Sequence, residues 1–151
     1  RCPRGVRPSR FARDPSGRPS PPPEKAPDRL RVLVVDDEPL VARSLERILR
    51  DHHDVVIEHG ARDALDRIAA GERFDVVLSD LTMPEMDGID FFVTAETLDE
   101  GLSERVIIIT GGTSFEIEKA VRDRQLPMLG KPFEAAGVRR VVAKFKRRVD
   151  E

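Results

Sequence analysis

Strand-like segments, each carrying an apolar stretch without polar alternation, fall at residues 31–35, 54–57, 74–78, 105–109 and 128–129, and segments of helical period lie between and after them. Unbroken runs, as opposed to alternating ones, are what strands buried on both faces require. The first run is β-branched and stops at Asp36 and Asp37. Pro39 then suits the first turn of a helix whose apolar face is Val41, Leu45, Ile48 and Leu49. Ala61, Ala64, Leu65 and Ile68 repeat at helical spacing, with Gly71 as the stop. A third helix is expected from Asp87-Gly88, carrying Ile89, Phe92 and Val93 inward. The run 105–109 reads as the most buried strand. After Gly111-Gly112, Thr113 and Glu116 read as a capping box for a fourth helix bearing Ile117, Ala120 and Val121. Val138, Val141, Val142 and Phe145 mark the last helix.

Strand and helix in regular alternation predict an α/β fold, a five-stranded parallel sheet with helices on both faces. Right-handed crossovers and a switch in strand order open a crevice at the carboxyl ends of such strands. The residues at those ends are Asp36 and Asp37 after the first strand, Asp80 after the third, Thr110 after the fourth and Lys131 after the fifth.

Carboxylates converging on one crevice repel each other unless protons or a cation intervene. A hard divalent ion answers that need, and Mg²⁺ favours a few carboxylates, retained waters and a phosphate over a full protein cage. A lysine and a threonine beside them suit the remaining oxygens of a phosphoryl group. Phosphoryl transfer asks mainly for positioning and charge neutralisation, and one carboxylate can itself be the nucleophile. Taken singly, each residue has a plainer reading. The aspartate pair could cap a helix, Asp80 could sit in a turn, Thr110 could end a β-branched strand, and Lys131 could lie on the surface beside Pro132.

Composition narrows the classes. The chain has 151 residues, 39% hydrophobic and 36% charged, and no apolar run approaching the ~18 residues of a membrane span. No secretory leader is recognisable, and the one cysteine, Cys2, has no partner for a disulfide, so a reducing, cytoplasmic setting is expected. Residues 1–30 hold seven arginines and one lysine against three acidic residues, a net of +5. The whole chain is −2, so the remainder carries −7. Eight of the twelve prolines also lie there, and the segment reads as a Pro/Arg-rich disordered linker before a domain at 31–151. Nucleic acid is not an expected partner, because the domain is acidic and its basic last helix has no interleaved stacking aromatics. His52, His53 and His59 have no metal-ligand spacing and read as solvent-exposed.

The order Asp36-Asp37, Asp80, Thr110, Lys131-Pro132, with intervals of 43, 30 and 21 residues, resembles the receiver domain of two-component response regulators. The segment Asp80-Leu-Thr-Met-Pro-Glu-Met-Asp-Gly88 is the most specific match, and the resemblance covers about residues 31–149. It implies a flavodoxin-like doubly wound sheet of order 2-1-3-4-5 with five helices. Asp80 would then be the acceptor of a phosphoryl group from a phosphohistidine donor, a histidine kinase or a histidine phosphotransfer domain. Asp36, Asp37, Asp80 and the backbone carbonyl of Thr82 would hold Mg²⁺. Thr110 would be the switch hydroxyl, Lys131 the cation that pairs with the phosphoryl group, and Lys131-Pro132 a cis peptide. Dimerisation through the fourth and fifth helices, and a place at the end of a hybrid histidine kinase, belong to the same expectation. Relatives carry an aromatic three residues before the lysine, where this chain has Met128, so an aromatic-gated relay is not expected. Two rivals differ in class. A degenerate receiver acting only as a docking module would have lost an acceptor, acidic-pair or lysine position. A flavin-binding domain would need a phosphate-cradling loop where Asp36-Asp37-Glu38-Pro39 stands.

Overall fold

The apolar runs form strands β1 (Arg31–Val35), β2 (Asp54–Glu58), β3 (Val76–Asp80), β4 (Val106–Thr110) and β5 (Met128–Gly130) in the computed structural model, all but β5 rich in β-branched residues. It describes residues 29–111 and 115–146, without the side chains of 115–118. All paired neighbours are parallel, in the order β2-β1-β3-β4-β5. The flanking helices are α1 (Pro39–Leu49), α2 (Ala61–Ala69), α3 (Gly88–Leu98), α4 (Phe115–Asp123) and α5 (Ala135–Ala143). This is the expected doubly wound α/β fold. Among the described residues no helix is long and apolar enough to cross a membrane.

Successive side chains of a strand point to opposite faces, and the core divides accordingly. Leu33, Val35, Val77, Val106 and Ile108 meet Ala61, Ala64, Leu65 and Ile68 of α2, Phe91 and Ala95 of α3, and Val121 of α4. Val32, Val34, Val76, Leu78, Ile107 and Ile109 meet Ala42, Leu45 and Leu49 of α1 and Val138 and Val142 of α5. Both faces of the three central strands are therefore sealed, and only strand ends and loops remain for polar chemistry.

Several expected details shift. β3 starts at Val76; Phe74 is buried but precedes the strand, with the Arg31 guanidinium 4.8 Å from its ring centroid. All five residues of β3 are buried, which makes it, not β4, the most enclosed strand. Arg105 closes a short 3₁₀ turn, Leu102–Arg105, instead of opening β4. The Glu96 carboxylate accepts from the Gly101 and Ser103 amides at 3.0 and 2.8 Å and fixes that turn. In α3 the fully buried residues are Phe91 and Ala95; Ile89 and Phe92 pack against the core partly buried, as expected, while Val93 is 45% exposed. Gly88 sets that phase, because a Cβ there would meet the Leu81 Cα at 3.0 Å and the Asp80 carbonyl oxygen at 3.1 Å. The helix can start only with Gly88 against the sheet, which turns i+3 and i+7 inward. Asp87 caps it by accepting from the Asp90 amide at 2.8 Å. The Thr113–Glu116 capping box and residues 1–28 of the expected linker lie outside what is described. Arg29 and Leu30, also placed in that linker by composition, pack on the domain, and Leu30 is buried.

Candidate functional site

The parallel sheet brings the ends of β1, β3, β4 and β5 to one rim, and the chain beyond each end supplies the chemistry. Asp36, directly after β1, is fully buried. Its Oδ1 accepts from the Glu38 amide at 2.9 Å, while its buried Oδ2 has no hydrogen-bond partner. Asp80, the last residue of β3, is also buried, and its Oδ1 accepts from the Thr82 amide at 3.4 Å. Thr110 ends β4, half-buried, and its carbonyl accepts from the Lys131 amide at 2.8 Å. That bond ties the loop after β5 to β4. The Lys131–Pro132 peptide is cis.

Lys131 Nζ reaches into the carboxylate cluster. It lies 2.9 Å from Glu38 Oε1, 3.6 Å from Asp36 Oδ2 and 3.8 Å from Asp80 Oδ1. Gly111 makes room for it, since a Cβ at that position would come within 3.1 Å of the lysine Cδ. The geometric role of Gly111 is thus clearance for the lysine stem.

Among the described residues, the acidic side chains with oxygens all within 4.8 Å of one another are Asp36, Glu38 and Asp80. Asp37, expected in this group, is half-buried and stands outside it, although its negative charge bears on both Asp36 and Asp80. The chain bends at Asp37, and the bond from the Glu38 amide to Asp36 Oδ1 draws Glu38 back over the rim, leaving Asp37 outside the group. Glu38 was missed in the sequence. The available signal was Pro39, which fixes the helix start and leaves Glu38 as the extended N-cap residue at the rim. Asp36 and Asp37 do not cap α1, and no side chain does.

The electrostatics follow from this crowding. Burial, and then the charge of Asp36, push the Asp80 carboxyl up to about 6, against the pull of Lys131 and the Thr82 amide. Burial raises Asp36 as well, opposed by the Glu38 amide and Lys131. Burial favours neutral Lys131, but its bond to Glu38 and the fields of Asp36 and Asp80 outweigh that and hold the ammonium above its ordinary value. One ammonium thus serves three carboxylates. The all-oxygen donor set, the partnerless Asp36 oxygen and the two raised carboxyls fit a hard divalent cation such as Mg²⁺.

The histidines lie away from this cluster except His59, whose Nδ1 is 3.1 Å from the Asp36 carbonyl oxygen. His53 is half-buried, not solvent-exposed, and its Nδ1 accepts from the Leu30 amide at 3.1 Å. Met128, in the place of an aromatic, is half-buried against the α3 side of the core.

Comparison with known proteins points one way. A family model described as the response regulator receiver domain matches residues 32–143. The two-component response regulator ORR26 of Oryza sativa subsp. japonica is 36% identical over 118 residues, which are 76% of this chain and 20% of that protein. The transcriptional regulatory protein BtsR of Escherichia coli (strain K12) is 27% identical over 119 residues, 78% of this chain and 48% of that protein. The chain therefore spans between a fifth and about half the length of these curated relatives. A CheY-like response regulator receiver domain protein from Methanospirillum hungatei JF-1 superposes with a TM-score of 0.69 at 25% identity, covering 77% of this chain and 92% of that one. The receiver domain of a LuxO repressor protein from Vibrio parahaemolyticus gives 0.67 at 27% identity, over 77% and 88%.

Proposed function

Because the chain belongs to the response-regulator receiver family, we propose that its acidic rim accepts a phosphoryl group on Asp80 from a phosphohistidine, in a Mg²⁺-dependent reaction that switches the domain's conformation. The donor is a histidine kinase or a histidine phosphotransfer domain. The observation that carries this reading is the placement of Lys131 Nζ 3.8 Å from Asp80 Oδ1 and 3.6 Å from the partnerless Asp36 Oδ2. A nucleophilic carboxylate and a cation are held together where incoming negative charge would gather.

A carboxylate oxygen of Asp80 attacks the phosphorus in line with the departing imidazole. The new P–O bond makes an acyl phosphate, the P–N bond breaks, and the ring nitrogen keeps its electron pair and takes up a proton. Asp80 must be ionised to attack, and with its carboxyl pushed up to about 6 the carboxylate predominates at neutral pH. Asp36, Asp80 and the Thr82 carbonyl are the groups that would hold Mg²⁺, with Asp37, outside the carboxylate cluster, reaching it through a retained water; when bound, the ion supplies neutralising charge to the phosphoryl oxygens. Lys131 neutralises a further oxygen. The Thr110 hydroxyl offers a hydrogen bond that exists only once the phosphoryl group is present, and such a state-specific contact can shift a conformational equilibrium.

Incubation with Mg²⁺ and acetyl phosphate should add one acid-stable, base-labile phosphoryl group, seen by intact mass on Asp80 and lost in Asp80→Asn. Equal labelling of Asp80→Asn removes Asp80 from the role, and no labelling of the parent favours a docking module. Thr110→Ala should still accept phosphoryl. Its amide-exchange response to beryllofluoride over residues 111–121 should be blunted.

A further inference from the structure

Lys131 has three acidic neighbours, yet it is shared among them unequally. Its ammonium is in hydrogen-bond contact with Glu38, at 2.9 Å, and only in the electrostatic field of Asp36 and Asp80, at 3.6 and 3.8 Å. We propose that Glu38 is a positioning residue for Lys131. It holds the ammonium at the outer rim and so sets how readily the lysine turns toward a phosphoryl group on Asp80. The inference rests on Asp80 being the acceptor.

The local structure suits this role. Glu38 is held in extended conformation between Asp36, whose carboxylate receives its amide, and Pro39 at the start of α1. Its backbone is fixed, and only its side chain reaches over the crevice. That side chain is 59% exposed, whereas the Asp36 side chain is 0% exposed. Water competes for the Glu38–Lys131 pair, so the contact can be exchanged, and an exposed pair of this kind biases an equilibrium by no more than about fivefold. The other two carboxylates cannot serve as the resting partner, because neither comes within hydrogen-bond distance of Nζ. Gly111 presents no side chain to the lysine stem, which packs close against it: a Cβ there would stand 3.1 Å from the lysine Cδ.

The prediction is a gain of affinity on removing a charge. With saturating Mg²⁺, Glu38→Gln should bind the phosphoryl mimic beryllofluoride about threefold more tightly than the parent, because Lys131 no longer has to leave a partner. Glu38→Asp keeps the charge but is one methylene shorter, and it should lie on the Gln side of the parent. In a Lys131→Gln background the two Glu38 forms should bind the mimic equally weakly, the signature of action through the lysine. Calorimetry reads all of these, together with Mg²⁺ alone.

An unchanged affinity in Glu38→Gln overturns the inference. So does a threefold gain that persists in the Lys131→Gln background, which would mean that Glu38 acts by charge alone. A tenfold loss of Mg²⁺ affinity on Glu38→Gln in both backgrounds also overturns it and makes Glu38 a metal ligand. Labelling of Asp80 in the parent is read separately by mass. Without it the acceptor reading fails and takes this inference with it; with it, the outcomes above judge Glu38 alone.

Discussion

The two ends of the same sheet solve the same problem in opposite ways. At the amino ends of the strands, polar groups are paired as the chain enters the core. Arg31 lies 2.7 Å from Glu72, the Arg31 amide donates to buried Asp75 at 2.7 Å, Arg29 pairs with Asp54 at 3.1 Å, and Arg105 donates to the carbonyls of Asp75 and Lys146. At the carboxyl ends, three carboxylates share one ammonium, and a buried Asp36 oxygen lacks a hydrogen bond. A buried polar atom left so is costly. Its persistence at one end of a sheet that satisfies the other marks a site shaped for a ligand and not for the apo fold. Charge cuts at the amino end should therefore destabilise, and charge cuts at the carboxyl end should stabilise.

The largest effect is expected at Asp75. Replacing it with Ala strips the part-buried Arg31 amide of its charged acceptor at the point where β1 begins. Losing that charge-assisted bond together with the packing of the buried Asp75 side chain should cost about 2–3 kcal/mol. Urea denaturation would show this as a lower midpoint at unchanged slope. A loss below about 0.5 kcal/mol would mean that water or Arg105 rearrangement satisfies that end, and the contrast would weaken.

Asp80→Asn should move the other way. A carboxyl held at about 6 in the folded domain, against 3.8 as its ordinary value, binds its proton more tightly when folded. Its contribution to stability is complete below about 3.8 and is lost as pH rises through about 6. Parent and Asp80→Asn should thus be alike below about pH 4, diverge as pH rises from 4 to 6, and stay apart above that, with the variant more stable by roughly 2 kcal/mol at pH 7.5 without metal. Excess Mg²⁺ should stabilise the parent by linkage and shrink the gap. Thermal melts across pH, with and without Mg²⁺, read both effects. A gap independent of pH would show that the variant acts through packing.

The two ends also differ in how well the sequence announced them. The carboxyl rim was legible because runs that stop at Asp36, Asp80, Thr110 and Lys131 place those residues by strand period alone, and the parallel order gathers them. Glu38 was not, because its membership depends on which way the chain turns after Asp36. That is decided by the Glu38 amide bonding back to Asp36 Oδ1, a tertiary detail with no periodic signature. The phase of α3 was read only in part. Ile89 and Phe92 do pack on the core, partly buried, but Val93 is exposed, and the close approach of Gly88 to the backbone of Asp80 and Leu81 makes Phe91 and Ala95 the deepest residues. The amino-end pairs were invisible, since they join residues as far apart as 31 and 75 with no motif between them.

The smallest expected change in stability is at Gly111, and it separates the two ends most finely. Among the described residues the nearest atoms a methyl there would meet are those of the Lys131 stem, at 3.1 Å, and that stem is flexible enough to yield. Gly→Ala also restricts the unfolded chain, which favours the fold by about 0.4–1 kcal/mol where the backbone tolerates it. Gly111 is not among the glycines with positive φ, so the two terms should nearly cancel and leave the melting temperature within about two degrees of the parent. The function should not be so indifferent. Pushing the stem aside lengthens the path of Nζ to Asp80, and Gly111→Ala should weaken Mg²⁺-dependent beryllofluoride binding severalfold while the fold is unmoved. Asp75→Ala, tested at a temperature where it remains folded, should bind the mimic like the parent. Measuring both quantities on both variants crosses the comparison. If Gly111→Ala changes stability as much as binding, the carboxyl rim is part of the fold's support and the division between the two ends does not hold.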